Sequence, residues 1–185
     1  MIYKTHVIFA ESIAFSPFIL ENLDIIDSKM NIWNNYSTME LAIFILILAI
    51  SALLPDLDEE QSWLSRKIPF VSAFTGMLQH RGLTHYLITP ILLYTIGIFI
   101  VSEDNLIIVQ IITLGWFLHI LGDSFTKSAI PNGWFPIKKT FTLIPKVFRF
   151  RTYGSVEMML VLPVLTIIFA YEVYLMIASN GLNII

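Results

Sequence analysis

The stretch LAIFILILAISALLPDLDEE, residues 41–60, joins a long apolar run directly to a cluster of carboxylates. The apolar part ends at residue 54, so it is shorter than the roughly 20 residues that a helix needs to cross a bilayer. Two structures would explain such a run. Either a membrane helix continues past the run into a polar site enclosed by protein, or the run is a buried helix of a soluble bundle.

The composition of the whole chain favours the membrane. Hydrophobic residues make up 56% of the 185 residues and charged residues only 14%, whereas about a quarter of a soluble domain is charged. His6 and Glu11 interrupt the first apolar stretch, which makes it the weakest span. We predict an all-α integral membrane helical bundle of four or five spans that forms a single domain over residues 1–185. The other apolar stretches occupy residues 5–20, 85–101, 106–121 and 158–178.

Lysine and arginine are distributed unevenly between the loops. If Met1 lies inside and the five stretches are threaded in turn, ten of the eleven basic residues fall inside and Lys29 alone falls outside. Cytoplasmic loops of membrane proteins collect Lys and Arg. The distribution therefore predicts a multi-pass protein of the cell membrane with a cytoplasmic N-terminus.

Residues that bind metals or transfer protons recur at the ends of the apolar stretches. On the threading above, all of them lie at the cytoplasmic ends of the helices, and charged groups near membrane depth usually mark function. We predict that they form one site. The candidate metal ligands are His6, Asp56, Asp58, His80, His85, His119, Asp123 and Glu157.

Two pairs of candidates also have a purely structural explanation. His119 and Asp123 are four residues apart and share a helix face, but they could simply close a helix end with a hydrogen bond. Asp56 and Asp58 would point the same way on an extended segment, but an acidic turn ahead of a helix would have the same sequence. Each pair alone leaves the alternatives open.

The motif HRGLTH, residues 80–85, supplies a third pair. His80 and His85 converge only if the chain turns between them, which Gly82 permits. The alternative is a pair of interfacial histidines in a positively charged flank. Arg81 in the same motif is a candidate clamp for a phosphate or carboxylate.

Four histidines and several carboxylates in a chain without cysteine are the ligand set of a hydrolytic zinc or manganese centre. Such a metal lowers the pKa of a bound water to about 7 and polarises a phosphoryl or carbonyl oxygen. The ligands exceed what one metal needs, so we expect a divalent metal, zinc first and manganese second, with two ions. Asp56 or Asp58 would act as the base, and Glu11 could pair with His6 or reach the same pocket.

The segment GWFPIKKTFTLIPKVFRFR, residues 133–151, mixes aromatic and basic side chains. We predict that it lies on anionic headgroups and that membrane lipid is the partner. Ordinary anchoring of a cytoplasmic loop would use the same residues. No nucleic-acid partner is expected, because the bilayer already requires these side chains.

The order of the motifs resembles the YdjM-like family of membrane-bound proteins assigned as metal-dependent hydrolases. The motifs are an N-terminal His, then PDLD, HRGLTH and HILGDSFTKSAIPNGWFP, and a later Glu. The resemblance spans nearly the whole chain and implies the inner membrane. The order of these residues is also similar to the superfamily of zinc-dependent phospholipases C and single-strand nucleases. That similarity implies five direct metal ligands: His6, Asp56, His80, His119 and Asp123. It also implies three residues that complete or support the site: His85, Asp58 and Glu157.

Two functions remain open. The first is a metal-dependent hydrolase at the cytoplasmic face, which would cleave a phosphoric ester of a phospholipid or related headgroup as a phospholipase C does, with Arg81 holding the phosphate. The second is a non-enzymatic membrane protein, either a metal-binding partner of a regulator or a small transporter. Transport would place the ligands near the middle of the membrane rather than at its edge.

Overall fold

The computed structural model describes residues 1–59, 62–67 and 82–179, and this part of the chain is helical and contains no strand. The prediction of an all-α bundle is therefore confirmed. Its α-helices are α1 (Tyr3–Ala14), α2 (Pro17–Asn22), α3 (Thr38–Ser51), α4 (Trp63–Lys67), α5 (Ile88–Ile100), α6 (Leu106–Ser124) and α7 (Leu162–Ser179).

Short helical turns extend or connect these helices. A 3₁₀ helix follows α3, others precede α5 and α6, and a π-helical turn leads into α7. In that order these turns are Leu54–Asp58, Leu83–His85, Glu103–Asn105 and Glu157–Val161. The remaining 3₁₀ turns are Ser28–Met30, Ile32–Asn35 and Lys146–Phe148.

The helices continue beyond the apolar runs of the sequence. Within the described residues, three segments are long and apolar enough to cross a membrane: Thr38–Asp58, Glu103–Ser124 and Glu157–Ser179. Helix α5 is apolar as well but shorter. The apolar run of residues 41–54 therefore belongs to a membrane-length helical segment that continues into a polar region, and not to a short buried helix of a soluble bundle.

The first apolar stretch, predicted as one run over residues 5–20, is divided between two helices. Helix α1 ends at Ala14 after 12 residues, and α2 begins at Pro17. A continuous helix would leave the Ile13 carbonyl without a donor, because proline has no N–H. Instead the Ser16 hydroxyl donates to Ile13 O at 2.8 Å, so the chain turns here.

Helices α1, α3 and α6 contact one another in the centre of the bundle, while α5 packs on α6 and α7 packs on α1. Gly115 allows α6 to approach α3 closely, since a Cβ there would lie 2.6 Å from Ser51 Cβ and 3.0 Å from the Leu48 carbonyl oxygen. Trp33, from the connection before α3, fills the far end of the core and donates from Nε1 to Ala14 O at 2.8 Å. The other end of the bundle holds the polar cluster.

Candidate metal centre

Two histidines face each other in the middle of this polar cluster. His85 Nε2 lies 3.3 Å from His119 Nε2, although the two residues are 34 positions apart in the chain. Asp56 completes a triangle, because its Oδ1 lies 3.7 Å from His85 Nε2 and 3.5 Å from His119 Nε2. Both imidazoles are fully buried, whereas 23% of the Asp56 side chain is exposed. Asp56 therefore forms the accessible edge of the triangle.

The other ring nitrogen of each histidine is held by the protein. His119 Nδ1 lies 2.7 Å from Ala52 O, and it must carry the proton because a carbonyl only accepts. His85 Nδ1 lies 3.4 Å from Asp58 Oδ2 and 2.9 Å from Thr84 Oγ1, and the Thr84 hydroxyl donates to that carboxylate. Hydrogen bonds of this kind orient metal-binding histidines. They leave both Nε2 atoms directed at the cluster.

The start of α1 adds a third histidine. His6 Nε2 lies 3.3 Å from Asp123 Oδ1, and the His6 ring stacks on the His119 ring with centroids 3.8 Å apart. Met1 N lies 2.6 Å from the same carboxylate oxygen. Asp123 Oδ2 lies 3.9 Å from His85 Nε2, so this carboxylate connects the start of α1 with the triangle.

Gly122 has a packing role in the cluster. Glycine often ends a helix, but α6 continues past Gly122 to Ser124. A Cβ at Gly122 would lie 2.1 Å from Met1 Cε and 3.4 Å from His6 Nδ1. The absent side chain therefore lets the start of α1 approach the end of α6.

Asp56 and Asp58 do not lie on an extended segment as predicted, because residues Leu54–Asp58 form a 3₁₀ helix. In that geometry, with three residues per turn, side chains two positions apart point in different directions. The two carboxylates consequently reach opposite nitrogens of His85, Asp56 at Nε2 and Asp58 at Nδ1. Asp58 therefore orients His85, while Asp56 belongs to the triangle.

Two further glutamates lie outside the triangle. Glu157 supports the backbone, since its Oε1 accepts from Ile2 N at 2.9 Å and its Oε2 accepts from Tyr153 N at 2.8 Å. Glu11 is buried on α1, which packs on α7. Neither Glu11 carboxyl oxygen has a hydrogen-bond partner in the described part of the chain. The predicted pairing of Glu11 with His6 is therefore not observed.

The structure brings together His6, Asp56, Asp58, His85, His119 and Asp123 from separate parts of the sequence. Glu157 lies beside them under the start of α1. His80 and Arg81 lie outside the described residues, so the direct ligand and the phosphate clamp assigned to them stay predictions. His85, expected to complete or support the site, lies at its centre.

The donor set and its spacing fit a divalent cation. In a tetrahedral zinc site, metal–nitrogen distances of about 2.0–2.1 Å place two ligand nitrogens about 3.3 Å apart, and the His85–His119 separation is 3.3 Å. The buried His6 Nδ1 has no hydrogen-bond partner among the residues described. Among the described residues, two groups of three could each hold a metal ion, because one ligand atom from every residue of the group lies within 4.8 Å of the others. One group is His6, Asp56 and His119, and the other is His85, His119 and Asp123.

The electrostatics of the cluster favour positive charge at His85, which precedes α5 and lies outside the three long apolar segments. Burial lowers the pKa of the His85 imidazole, but hydrogen bonds to Asp56 and Asp58 and the charge of Asp123 outweigh this effect. They raise the pKa from 6.5 to about 9. Surroundings that stabilise a proton on this ring also stabilise a metal cation, which competes with the proton for the same nitrogen.

A family model for YdjM inner membrane proteins matches residues 1–181. The chain belongs to this family. It is 32% identical over 98 residues to the inner membrane protein YdjM of Escherichia coli (strain K12), and equally to that of Shigella flexneri. Each match covers 51% of this chain and 50% of the relative, so the chain spans about half the length of the curated relatives it matches. No solved structure matches the chain.

Family membership confirms the resemblance to the YdjM-like family, while the hydrolase assignment and the similarity to zinc-dependent phospholipases C and nucleases stay predictions. Together with the three long apolar segments among the described residues, it supports an inner membrane location. The cytoplasmic placement of the N-terminus stays a prediction from the distribution of Lys and Arg.

Sequence reasoning missed three groups that hold the histidines in place. They are the Ala52 carbonyl, the Thr84 hydroxyl and Trp116, whose Nε1 donates to Thr84 O at 2.7 Å. Trp116 had a signal, since it lies three residues before His119 and so near its helix face, and Thr84 stands within the HRGLTH motif directly before His85. A backbone carbonyl leaves no signal in a sequence.

Proposed function

We propose that the protein is a metal-dependent hydrolase that cleaves a phosphoric ester of a membrane lipid headgroup. The main support is the triangle of His85 Nε2, His119 Nε2 and Asp56 Oδ1, whose sides of 3.3, 3.5 and 3.7 Å suit a divalent cation. A bound zinc or manganese ion would activate a water molecule and polarise a phosphoryl oxygen. Two ions are part of the proposal; His119 would bind only one of them, because its Nδ1 is held by Ala52 O and its Nε2 offers a single lone pair.

Asp56 is the best-placed general base of the cluster. Its side chain is 23% exposed, whereas His6, His85, His119 and Asp123 are at most 1% exposed. A substrate and a water molecule can therefore approach only along the Asp56 edge of these described side chains. The Asp58 carboxylate is occupied by Thr84 and His85, so it positions His85 rather than accepting a proton from water.

Both ends of the segment predicted to lie on headgroups, residues 133–151, are hydrogen-bonded to backbone close to the metal cluster. Leu87 N, two residues after His85, donates to Gly133 O at 3.0 Å. At the other end, Lys127 N donates to Phe150 O at 2.8 Å, just beyond α6. An interfacial segment held in this way would present a lipid headgroup beside the cluster.

The same segment exposes large apolar side chains. Trp134 is 48% exposed, Phe135 52%, Val147 80% and Phe148 74%. Alternating with Lys138, Lys139, Lys146 and Arg149, these side chains have the composition of a surface that lies in the headgroup region. This surface supports a lipid substrate over a soluble ester.

The experiment is a headgroup-release assay on purified protein in lipid–detergent micelles, with and without added zinc or manganese. We expect metal-dependent release of a phosphorylated headgroup by the wild type and its loss in His119→Ala. Glu11→Gln is the matched control, because it changes a buried polar residue outside the triangle and should retain activity. Metal-replete protein that releases no headgroup from any common phospholipid class would contradict the proposal.

A non-enzymatic metal-binding role is the second candidate, favoured by one observation. Every described ligand except Asp56 is almost completely buried, as in closed structural metal sites. This role predicts metal that is retained stoichiometrically without an exchangeable water. Water-proton relaxation measured on the manganese-loaded protein separates the two, since a catalytic site requires an exchanging water molecule.

A further inference from the structure

A groove on the outside of the bundle lies between α1 and α7. Its volume is about 350 Å³, within the range of small-molecule sites. Its walls come from the first turns of both helices, on the side of α1 that faces away from the metal cluster. The lining residues are Tyr3, Lys4, Val7, Ile8, Leu162 and Thr166.

The groove is polar at one end and apolar along the rest. Lys4 lies exposed in the first turn of α1, with Nζ 5.9 Å from the centre of the Tyr3 ring. Val7 and Ile8 lie one helical turn further along α1 than Lys4, and Leu162 lines the groove with them. The Thr166 hydroxyl donates to Leu162 O at 2.7 Å, so its polar group is satisfied within the helix and the groove offers hydrocarbon there.

The surroundings of the groove determine what can fill it. Only 11% of the apolar part of segment Glu157–Ser179 is buried by the rest of the chain, the lowest fraction among the three long apolar segments described. On this segment Met159 is 81% exposed and Ile167 is 70% exposed. A helix so apolar and so little covered by its own chain faces lipid, and the groove therefore opens into the bilayer.

We propose that this groove binds one anionic phospholipid from the bilayer, with an acyl chain along Val7, Ile8 and Leu162 and the headgroup phosphate at Lys4. The charge of Lys4 matches an anionic headgroup, and the apolar floor begins one helical turn below it. Basic side chains at the membrane surface attract anionic lipid in this way. The lipid is a bound ligand and not the substrate of the metal cluster, because His6 and Lys4 lie on opposite faces of α1.

The proposal is independent of hydrolysis and is tested by lipid retention. The full chain is reconstituted with mixed phosphatidylcholine and phosphatidylglycerol, returned to detergent, and examined by native mass spectrometry. We expect the wild type to retain phosphatidylglycerol in preference to phosphatidylcholine. Lys4→Gln should reduce that preference roughly fivefold, the effect of one basic residue near an anionic surface.

Controls separate this groove from general lipid contact. Thr166→Trp should fill the groove and abolish retention of both lipids, while Ile167→Trp, exposed on the adjacent face of α7, should leave retention unchanged. Lys29→Gln removes an exposed lysine far from the groove and should keep the lipid preference. All of these positions are exposed, so the variants should fold and bind metal as the wild type does.

Four outcomes would overturn the proposal. One is the same preference for phosphatidylglycerol in Lys4→Gln as in the wild type. A second is equal lipid loss in Thr166→Trp and Ile167→Trp, and a third is a dimer instead of bound lipid in the wild-type spectrum. Loss of metal from Lys4→Gln would also contradict it, because the groove would then belong to the metal cluster.

Discussion

His85 Nε2 and His119 Nε2 lie 3.3 Å apart because the opposite nitrogen of each ring is held by a different part of the chain. The Ala52 carbonyl at the end of α3 holds His119, and Asp58 holds His85. Two imidazole lone pairs facing each other in a buried site are unfavourable unless a proton or a cation lies between them. The two supporting contacts therefore prepare the site for positive charge.

The first prediction concerns Asp58. Asp58→Asn removes the negative charge at His85 Nδ1 while keeping the shape of the side chain, so the imidazole becomes a weaker and less well oriented ligand. We expect metal affinity to fall by about 10- to 100-fold, measured by competition with a chromophoric chelator. Asp104→Asn, an exposed carboxylate at the other end of the bundle, should have no effect. Unchanged affinity in Asp58→Asn would show that this carboxylate does not orient the ring.

The second prediction concerns Trp116, whose indole N–H holds the Thr84 carbonyl at 2.7 Å. Trp116→Phe deletes that hydrogen bond beside His85 and should cost about 1 kcal/mol of stability. It should also weaken metal binding, because the turn carrying His85 loses its anchor. Trp134→Phe, with a side chain 48% exposed, is the matched control for an indole removed elsewhere. Equal effects of the two substitutions would contradict the anchoring role.

Much of this site could be predicted from the sequence, because its residues stand at the ends of apolar runs. His119 and Asp123 share a helix face by spacing alone. The different contacts of Asp56 and Asp58 could not be predicted, because they depend on a 3₁₀ turn rather than an extended segment. Pro17 signals the break in the first stretch. The hydrogen bond from the Ser16 hydroxyl to the Ile13 carbonyl could not be predicted, because it depends on local geometry.

The third prediction concerns helix packing at Gly115. A Cβ in Gly115→Ala would meet Ser51 Cβ and the backbone of α3 at 2.6–3.1 Å. Overpacking of this kind costs about 1–3 kcal/mol, so the unfolding temperature should fall. Gly97→Ala should be milder, because the added methyl meets only the side chain of Val109. Thermal unfolding followed by circular dichroism compares the two, and a larger loss in Gly97→Ala would contradict the packing at the α3–α6 contact.

The fourth prediction concerns the buried carboxyl of Glu172. Neither of its oxygens has a hydrogen-bond partner among the described residues, and burying such a group costs about 1–3 kcal/mol. Glu172→Leu should therefore raise the unfolding temperature without changing the metal content. Glu21→Leu should lower it, because the Glu21 carboxylate accepts from Asn31 and Asn34 at 2.9 and 2.8 Å. Destabilisation by Glu172→Leu would indicate a favourable partner for this carboxyl.

X-ray absorption spectroscopy of the zinc-loaded protein tests most directly whether the histidines and carboxylates bind a metal. We expect at least one zinc ion per chain, with a coordination shell of imidazole nitrogen and carboxylate oxygen at about 2.0–2.2 Å. His85→Ala and His119→Ala should each weaken the imidazole scattering, because the other histidines of the cluster remain, and Glu11→Gln should retain it in full. Zinc that is absent after supplementation, or that has the same spectrum in both histidine variants as in the wild type, would contradict a metal centre at this end of the bundle.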